Sequence, residues 1–251
     1  MQARDEKGRF CKQPESKFIT IVGWKGFDSD FCCRGKQYKE NTTFEEAKAT
    51  LCKNGMHFCI VPWDVLDHYP IFDTISGNMN TFAAVEGEID IVNYDKTCDS
   101  KRCSKKLTIK DKLSFEQFCL CAINPVYDTG HKILCDIRST IVNTHGNKYV
   151  FARCDKVNVQ RGTSQAYVDS KEVLITASTS VVYNVRKNSV IRALPDLMNT
   201  FVAGKKGTKI ITRTKEVVID NIKYFEDTWY CCFESGSIKQ MFTKGVLAKN
   251  H

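Results

Sequence analysis

The segment 149-YVFARCDKVNVQRGTSQAYVDSKEVLITASTSVVYNV-185 decides the fold. It divides into short pieces, YVFARC, KVNV, QAYV, EVLITA and VVYNV, each rich in β-branched or aromatic residues and each ended by polar ones. The rhythm continues outward. KILCDI precedes the segment and SVIRA, TKIITR and EVVIDNI follow it, so strand-like pieces recur about every eight to ten residues from 131 to 225. Only 194-LPDLMNTF-201 admits a helical reading. Regular short strands predict a β-sandwich, a barrel or a β-solenoid. Hairpin dipeptides such as Asn-Gly and Asp-Gly rarely join the pieces, which favours a solenoid (β-helix); a twisted sandwich is the alternative.

A solenoid exposes an end that must be covered. The stretch 217-VVIDNIKYFEDTWYCCFESGSIKQMF-242, with a turn at 234-ESGS-237, reads as a β-meander suited to that task. Upstream of Pro125 the texture is mixed. A strand, 18-FITIVGWKGF-27, is followed by the strand-like 31-FCCRGKQY-38. In 44-FEEAKATLC-52 the spacing of Phe44, Ala47 and Leu51 predicts one or two helical turns. Gly55 bends 51-LCKNGMHFC-59 at Cys52–Gly55, and Met56–Val61 resumes as a strand. Pro62 is suited to open a helix that places Trp63, Leu66 and Tyr69 on one face before Pro70 ends it. Two more strands, 81-TFAAVEGEID-90 with a bulge expected at Gly87 and 105-KKLTIKDKLS-114, precede a helix over 114-SFEQFCLCAI-123. Ser114 and Gln117 have the spacing of a capping box. The chain therefore reads as an N-terminal arm (1–17), an α+β head (18–125), a solenoid-like region (126–216) and a C-terminal β cap (217–251).

The composition, 42% apolar and 26% charged over 251 residues, is that of a globular protein, and no apolar run approaches the roughly 18–20 residues of a bilayer span. The polar start MQARDEKGRFCKQPESK lacks the apolar core of a signal peptide, so the expected setting is the host cytoplasm, or release by lysis, with no membrane partner. Thirteen cysteines without a secretion signal predict free, mostly buried thiols. The formal charge of +8 argues against mimicry of DNA, which needs an acidic surface. Basic residues are spread out, with 101-KRCSKK-106 the densest cluster, so contact with nucleic acid is expected chiefly through a protein complex.

Several constellations offer the residues that chemistry needs. Cys33, Cys52, His57 and Cys59 offer a Cys3His metal set, although the spacing has no C-x2-C knuckle. A second set, Cys98, Cys103, Cys119 and Cys121, is weaker still. A thiolate nucleophile needs a base beside it, yet His57 and Cys59 lie two apart on one presumed strand, where side chains stand parallel. Trp24, Phe27, Tyr38, Phe58, Trp63 and Tyr69 suit either base stacking or a core, and scattered charge favours the core. The candidate binding residues are Trp24, Arg34, His57, Trp63 and Asp64 in the head and Lys101, Arg102, Lys105 and Lys106 in the basic cluster; no cofactor is expected. His57 is the residue that packing alone explains least.

The strings 25-KGF-27, 33-CRGKQY-38, 51-LCKNGMHFC-59 and 62-PWDVLDHYP-70 resemble a domain widespread in bacteriophage, prophage and plasmid genomes, whose usual form runs KGF, CRGFQY, LC-x-x-GFHAC, P-L-D-V and YYP. In that family the domain is often followed by β-helical short repeats and by an ending similar to 227-DTWY-230. The resemblance implies an origin in a phage or mobile element and implies no reaction. The order Arg34, His57, Glu86 also resembles ADP-ribosyltransferases, in which an Arg or His holds the dinucleotide and a Glu orients the acceptor; their serine-threonine-serine strand is missing here. In the simpler reading Arg34 pairs with Asp64 or Asp67 and pins a turn. The function expected from all of this is a non-enzymatic binding protein directed at a host or phage protein, for instance an inhibitor of a defence system such as a CRISPR effector. A virion component is the alternative, and oligomerisation stays open.

Overall fold

A computed structural model describes residues 17–73, 75–90, 99–122 and 133–241. The arm over 1–16, Cys98 and the last ten residues of the expected cap lie outside these. The protein is mostly β, and among the described residues helix is confined to a 3₁₀ helix (Pro62–Asp67) and one α-helix, α1 (Phe115–Ala122). None of them is long and apolar enough to cross a membrane.

The first half is built on β1 (Phe18–Phe27), a hairpin of β2 (Cys32–Cys33) and β3 (Lys36–Gln37), then β4 (Thr42–Glu45), β5 (Met56–Cys59), β6 (Thr81–Asp90), β7 (Lys101–Ser104) and β8 (Lys106–Leu113). Helix is absent from 44–52: the alternation of Thr42, Thr43, Phe44 and Glu45 pairs with β8, and Phe44 packs on Tyr38. The main sheet runs in the order β4-β8-β6-β1-β5-β7. Its outer strand β7 continues into β8 after the single residue Lys105, so the sheet closes on itself. Ser104 marks the bend, its Oγ donating to the Glu88 carbonyl at 2.8 Å and accepting from Lys106 N–H at 3.0 Å.

Phe58 fills the closed sheet. A Cβ at Gly23 would lie 2.5 Å from the Phe58 ring, and one at Gly87 2.5 Å from its other edge. Gly87 is therefore not a bulge; the register irregularity sits between Ala83 and Val85. Gly87 exists because a ring occupies the space of its side chain. Around Phe58 gather Phe27, Val85, Leu107 and Ile109, all buried.

The second half is a β-solenoid, and the sandwich alternative falls. Its strands are β9 (Ile133–Asp136), β10 (Ile141–Asn143), β11 (Tyr149–Val159), β12 (Gln165–Ile175), β13 (Val181–Asn184), β14 (Val190–Ala193), β15 (Asn199–Gly204) and β16 (Lys209–Ile211). All pair in parallel. One strip stacks β9, β11, β12, β13 and β15; the other stacks β10, β11, β12, β14 and β16. Each coil thus spends two short strands, which is why the sequence pieces recur at half a coil. Val150, Ala166, Val182 and Val202 form one inward row, and Val157, Val173, Ile191 and Ile210 another. Hydroxyl pairs between coils satisfy the corners: Thr144–Thr163 and Ser180–Thr200, both at 2.7 Å, and Ser189–Thr208 at 3.0 Å. The stretch 194–201 holds a bend over 196–198 and the start of β15, with no helix.

The parallel order ends where β17 (Glu216–Val218), β18 (Tyr230–Phe233) and β19 (Ile238–Gln240) add antiparallel. The two halves are joined by aromatics. Phe151, Tyr167 and Tyr183 stack in register on the outside of the first strip, where they meet Phe115 and Phe72 of the head and Trp229. Gln165 satisfies both backbone groups of Phe72, at 2.8 and 2.9 Å, and Tyr149 donates to the Leu66 carbonyl at 2.9 Å. The head lies along the solenoid's flank, anchored by buried polar contacts that only this docking supplies.

Candidate functional site

The segments KGF, CRGKQY, LCKNGMHFC and PWDVLDHYP, spread over residues 25–70, line one cavity of about 450 Å³. Glycine sterics explain part of the convergence. A Cβ at Gly26 would lie 2.4 Å from Tyr69 Cβ, so only glycine lets the 3₁₀ helix's exit reach β1. Gly55, at φ +89°, lies so close to the Ala49 backbone and the Cys103 sulfur that a Cβ would be 2.8 Å from each. Arg34 and Gly35 have φ of 51° and 78°, the two left-handed residues of a tight hairpin that carries Cys33 and Arg34 to the cavity.

Lys25 lies in the cavity wall. It is only 4% exposed, because both faces of β1 are covered from Gly23 onward. Its Nζ donates to the His57 carbonyl at 2.8 Å and lies 3.3 Å from Cys33 Sγ. The rings of Phe27 and Tyr38 stand 5.5 and 5.4 Å from it. No carboxylate pairs with it among the described residues. Burial lowers its pKa, and the neighbouring Cys33 thiol opposes that shift only in part.

His57 is held by an N–H of the chain. Cys52 N–H donates to its Nε2 at 2.9 Å, so the ring accepts there and carries its proton on Nδ1. Burial first, then the charges of Lys25, Arg34 and Lys101, depress its pKa to about 4, leaving it neutral near pH 7. Tyr69 lies beside the Cys33 thiol, and burial holds its hydroxyl protonated well above the ordinary phenol range. Burial likewise pushes Cys59 up to about 12 and Cys103 up to about 11, so neither is a thiolate nucleophile at neutral pH.

Charge around the cavity is unbalanced. Of its two carboxylates, Glu46 is taken by Lys36 and Asp67 by Lys148 at 2.8 Å. Arg34, exposed on its hairpin turn, has no carboxylate partner among the described residues. The expected Arg34–Asp64 or Arg34–Asp67 pair is not formed, and Asp64 instead accepts the Ser100 N–H at 2.7 Å. An anion entering here meets Arg34 and Lys25, and among the described residues the lining offers no unpaired carboxylate to compete with it.

Of the candidates read from the sequence, Trp24, Cys33, Arg34, Cys52, His57, Cys59 and Lys101 come together at this cavity. Trp63 is instead a core residue packed on Phe118, and Asp64 is buried at 5% exposure. Arg102, Lys105 and Lys106 lie outside the cavity lining; Lys106 pairs with Glu88. Glu86 pairs with Lys110 at 2.8 Å, so the transferase trio of Arg34, His57 and Glu86 is not assembled. No cluster of three or more His, Cys, Asp or Glu with metal-holding geometry occurs among the described residues, which removes the Cys33–Cys52–His57–Cys59 set. For the second set, Cys103 donates to the Asn54 carbonyl while Cys119 lies in the interface core. The eleven described cysteines are all free, and Cys52 and Cys121 are exposed.

Lys25 was missed because the KGF string reads as the end of an amphipathic strand. The available signal was a lysine flanked by Trp24 and Phe27 in an otherwise apolar run, which alternation alone sends to solvent.

Residues 21–120, less than half of the chain, match the family model of a domain of unknown function, DUF7666. Comparison with curated proteins finds no match, and neither does comparison with solved structures.

Proposed function

We propose that the protein acts by binding rather than by catalysis, and that the head cavity recognises a small anionic ligand. The observation that carries this is the meeting, in one cavity, of a buried lysine and an exposed arginine that both lack a carboxylate partner among the described residues. The solenoid holds the head as a fixed body through the aromatic ladder, so recognition does not depend on a hinge. The test is a thermal-shift and calorimetric screen against small phosphates, sulfates and carboxylates at low ionic strength, where charge pairing is strongest. Arg34→Gln should weaken every anion that binds and leave the melting temperature of the free protein unchanged. An unaltered affinity in that variant refutes the reading.

A partner protein is favoured by a separate observation. Leu197 and Met198, between β14 and β15, and Ile222, between β17 and β18, are exposed at 82%, 61% and 83%. Together with the resemblance to phage and plasmid domains, this supports a protein made by a mobile element that engages a host protein in the cytoplasm, a defence effector such as a CRISPR nuclease among them. Nucleic acid is then reached only through that partner. Pull-down from infected host cells tests it: recovery of one host protein supports the reading, and co-purification with particles makes the chain a virion component instead.

A further inference from the structure

We propose that Lys25 captures carbonyl-bearing anions covalently, as an imine, in the head cavity. This rests on the anionic-ligand reading and names the second feature of the ligand: an aldehyde or ketone beside the negative group.

The geometry supplies each requirement. Imine formation needs a neutral amine with its lone pair free. A neutral Lys25 has two hydrogens, and two acceptors stand at its Nζ, the His57 carbonyl at 2.8 Å and Cys33 Sγ at 3.3 Å. The lone pair is left for the cavity that the residue lines. Burial, with no carboxylate partner among the described residues, favours the neutral form, as in lysines that form Schiff bases. The nitrogen adds to the carbonyl carbon, and its two hydrogens leave with the carbonyl oxygen as one water. No oxidant or reductant is consumed. Dehydration of the carbinolamine needs a proton on the departing hydroxyl; Tyr69, held protonated and beside Cys33, supplies it and recovers it from the nitrogen. The imine nitrogen, left without hydrogen, becomes an iminium by taking up one proton from solvent, and that N–H then donates to the His57 carbonyl. Arg34 and Lys101 then face the negative group.

The probe is pyridoxal 5′-phosphate, an aldehyde phosphate, trapped on the full chain with borohydride and located by peptide mapping. Two controls accompany it: pyridoxine 5′-phosphate, the same anion without a carbonyl, and 4-pyridinecarboxaldehyde, an aldehyde without the anion. The Lys25 imine should be the one reduced, with Lys25 labelled ahead of the exposed Lys171, and Arg34→Gln should slow the phosphate probe alone. The mapping uses the wild-type chain, so it does not depend on a Lys25 variant that folds. Labelling spread over surface lysines with Lys25 spared overturns the proposal. If pyridoxine 5′-phosphate binds while Lys25 stays unlabelled, the imine is wrong and the anion reading stands. If the neutral aldehyde labels Lys25 as fast as the phosphate does, the imine stands and the anion reading falls.

Discussion

Replacing Gly87 by alanine probes the closure of the head sheet. The added methyl would lie 2.5 Å from Phe58 Cε1, 2.6 Å from Cζ and 3.2 Å from Leu107 Cδ1. Carbon atoms prefer about 3.5–4.0 Å, so the ring must retreat by about 1 Å. It has nowhere to go, because a Cβ at Gly23 would already be 2.5 Å from Phe58 Cδ2 on the opposite edge. The substitution should therefore cost about 3 kcal/mol, the upper part of the range for overpacked cores, less about 0.5 kcal/mol returned by the stiffer unfolded chain. Phe58→Leu removes the obstacle and should absorb most of the penalty. Urea unfolding of the wild type, both single variants and the double variant closes a cycle, and the predicted coupling is about 2 kcal/mol in favour of the double variant. Additive effects, or a Gly87→Ala cost below about 0.5 kcal/mol, would show that the ring is not wedged between the two glycines.

Other outcomes follow from single contacts. His57 has a folded pKa of about 4 against 6.5 for the free ring, so between those values the unfolded chain binds more protons and stability falls as pH drops from 6.5 toward 4. The full shift corresponds to about 3 kcal/mol; half-exposure and screening reduce it to roughly 1–2 kcal/mol, and His57→Gln should flatten that part of the pH–stability curve. Ile191, fully buried in the solenoid row, should cost about 2–5 kcal/mol on truncation to alanine, read by denaturant midpoint. Ser114→Ala removes the acceptor that Gln117 N–H uses at 3.2 Å and should cost about 1 kcal/mol of stability. Tyr149→Phe leaves the Leu66 carbonyl without its donor and should destabilise by about 1–2 kcal/mol.

How far the sequence could be read depends on the range of the interactions that set each element. The solenoid was legible because its strands are specified locally: Val173, Ile175, Val190 and Ile191 are β-branched residues bounded by polar turns. That two pieces make one coil was not legible, since β11 and β12 each run through two pieces with a bend between. The capping box at Ser114 and Gln117 formed as its spacing required, with bonds of 2.8 and 3.2 Å. The helix expected over 44–52 failed because tertiary pairing with β8 outweighed a weak periodicity of three residues. Gly87 was misread because the ring that requires it comes from Phe58 on β5, 29 residues away in sequence. At the cavity, His57 was visible as a residue that packing alone does not explain, and Arg34 through the resemblance to transferases. Lys25 was not, because nothing local tells that both faces of β1 are covered.

The central claim is that the separated motif segments form a single anion-binding cavity, and backbone amide shifts in an NMR titration test it most directly. Titration of the labelled protein with pyridoxine 5′-phosphate should move the amides of Gly26, Cys33, Arg34, Gly55 and His57 together, with one dissociation constant that rises with salt. Shifts confined to Lys105 and Lys106, or scattered over the surface lysines with no common constant, would contradict it.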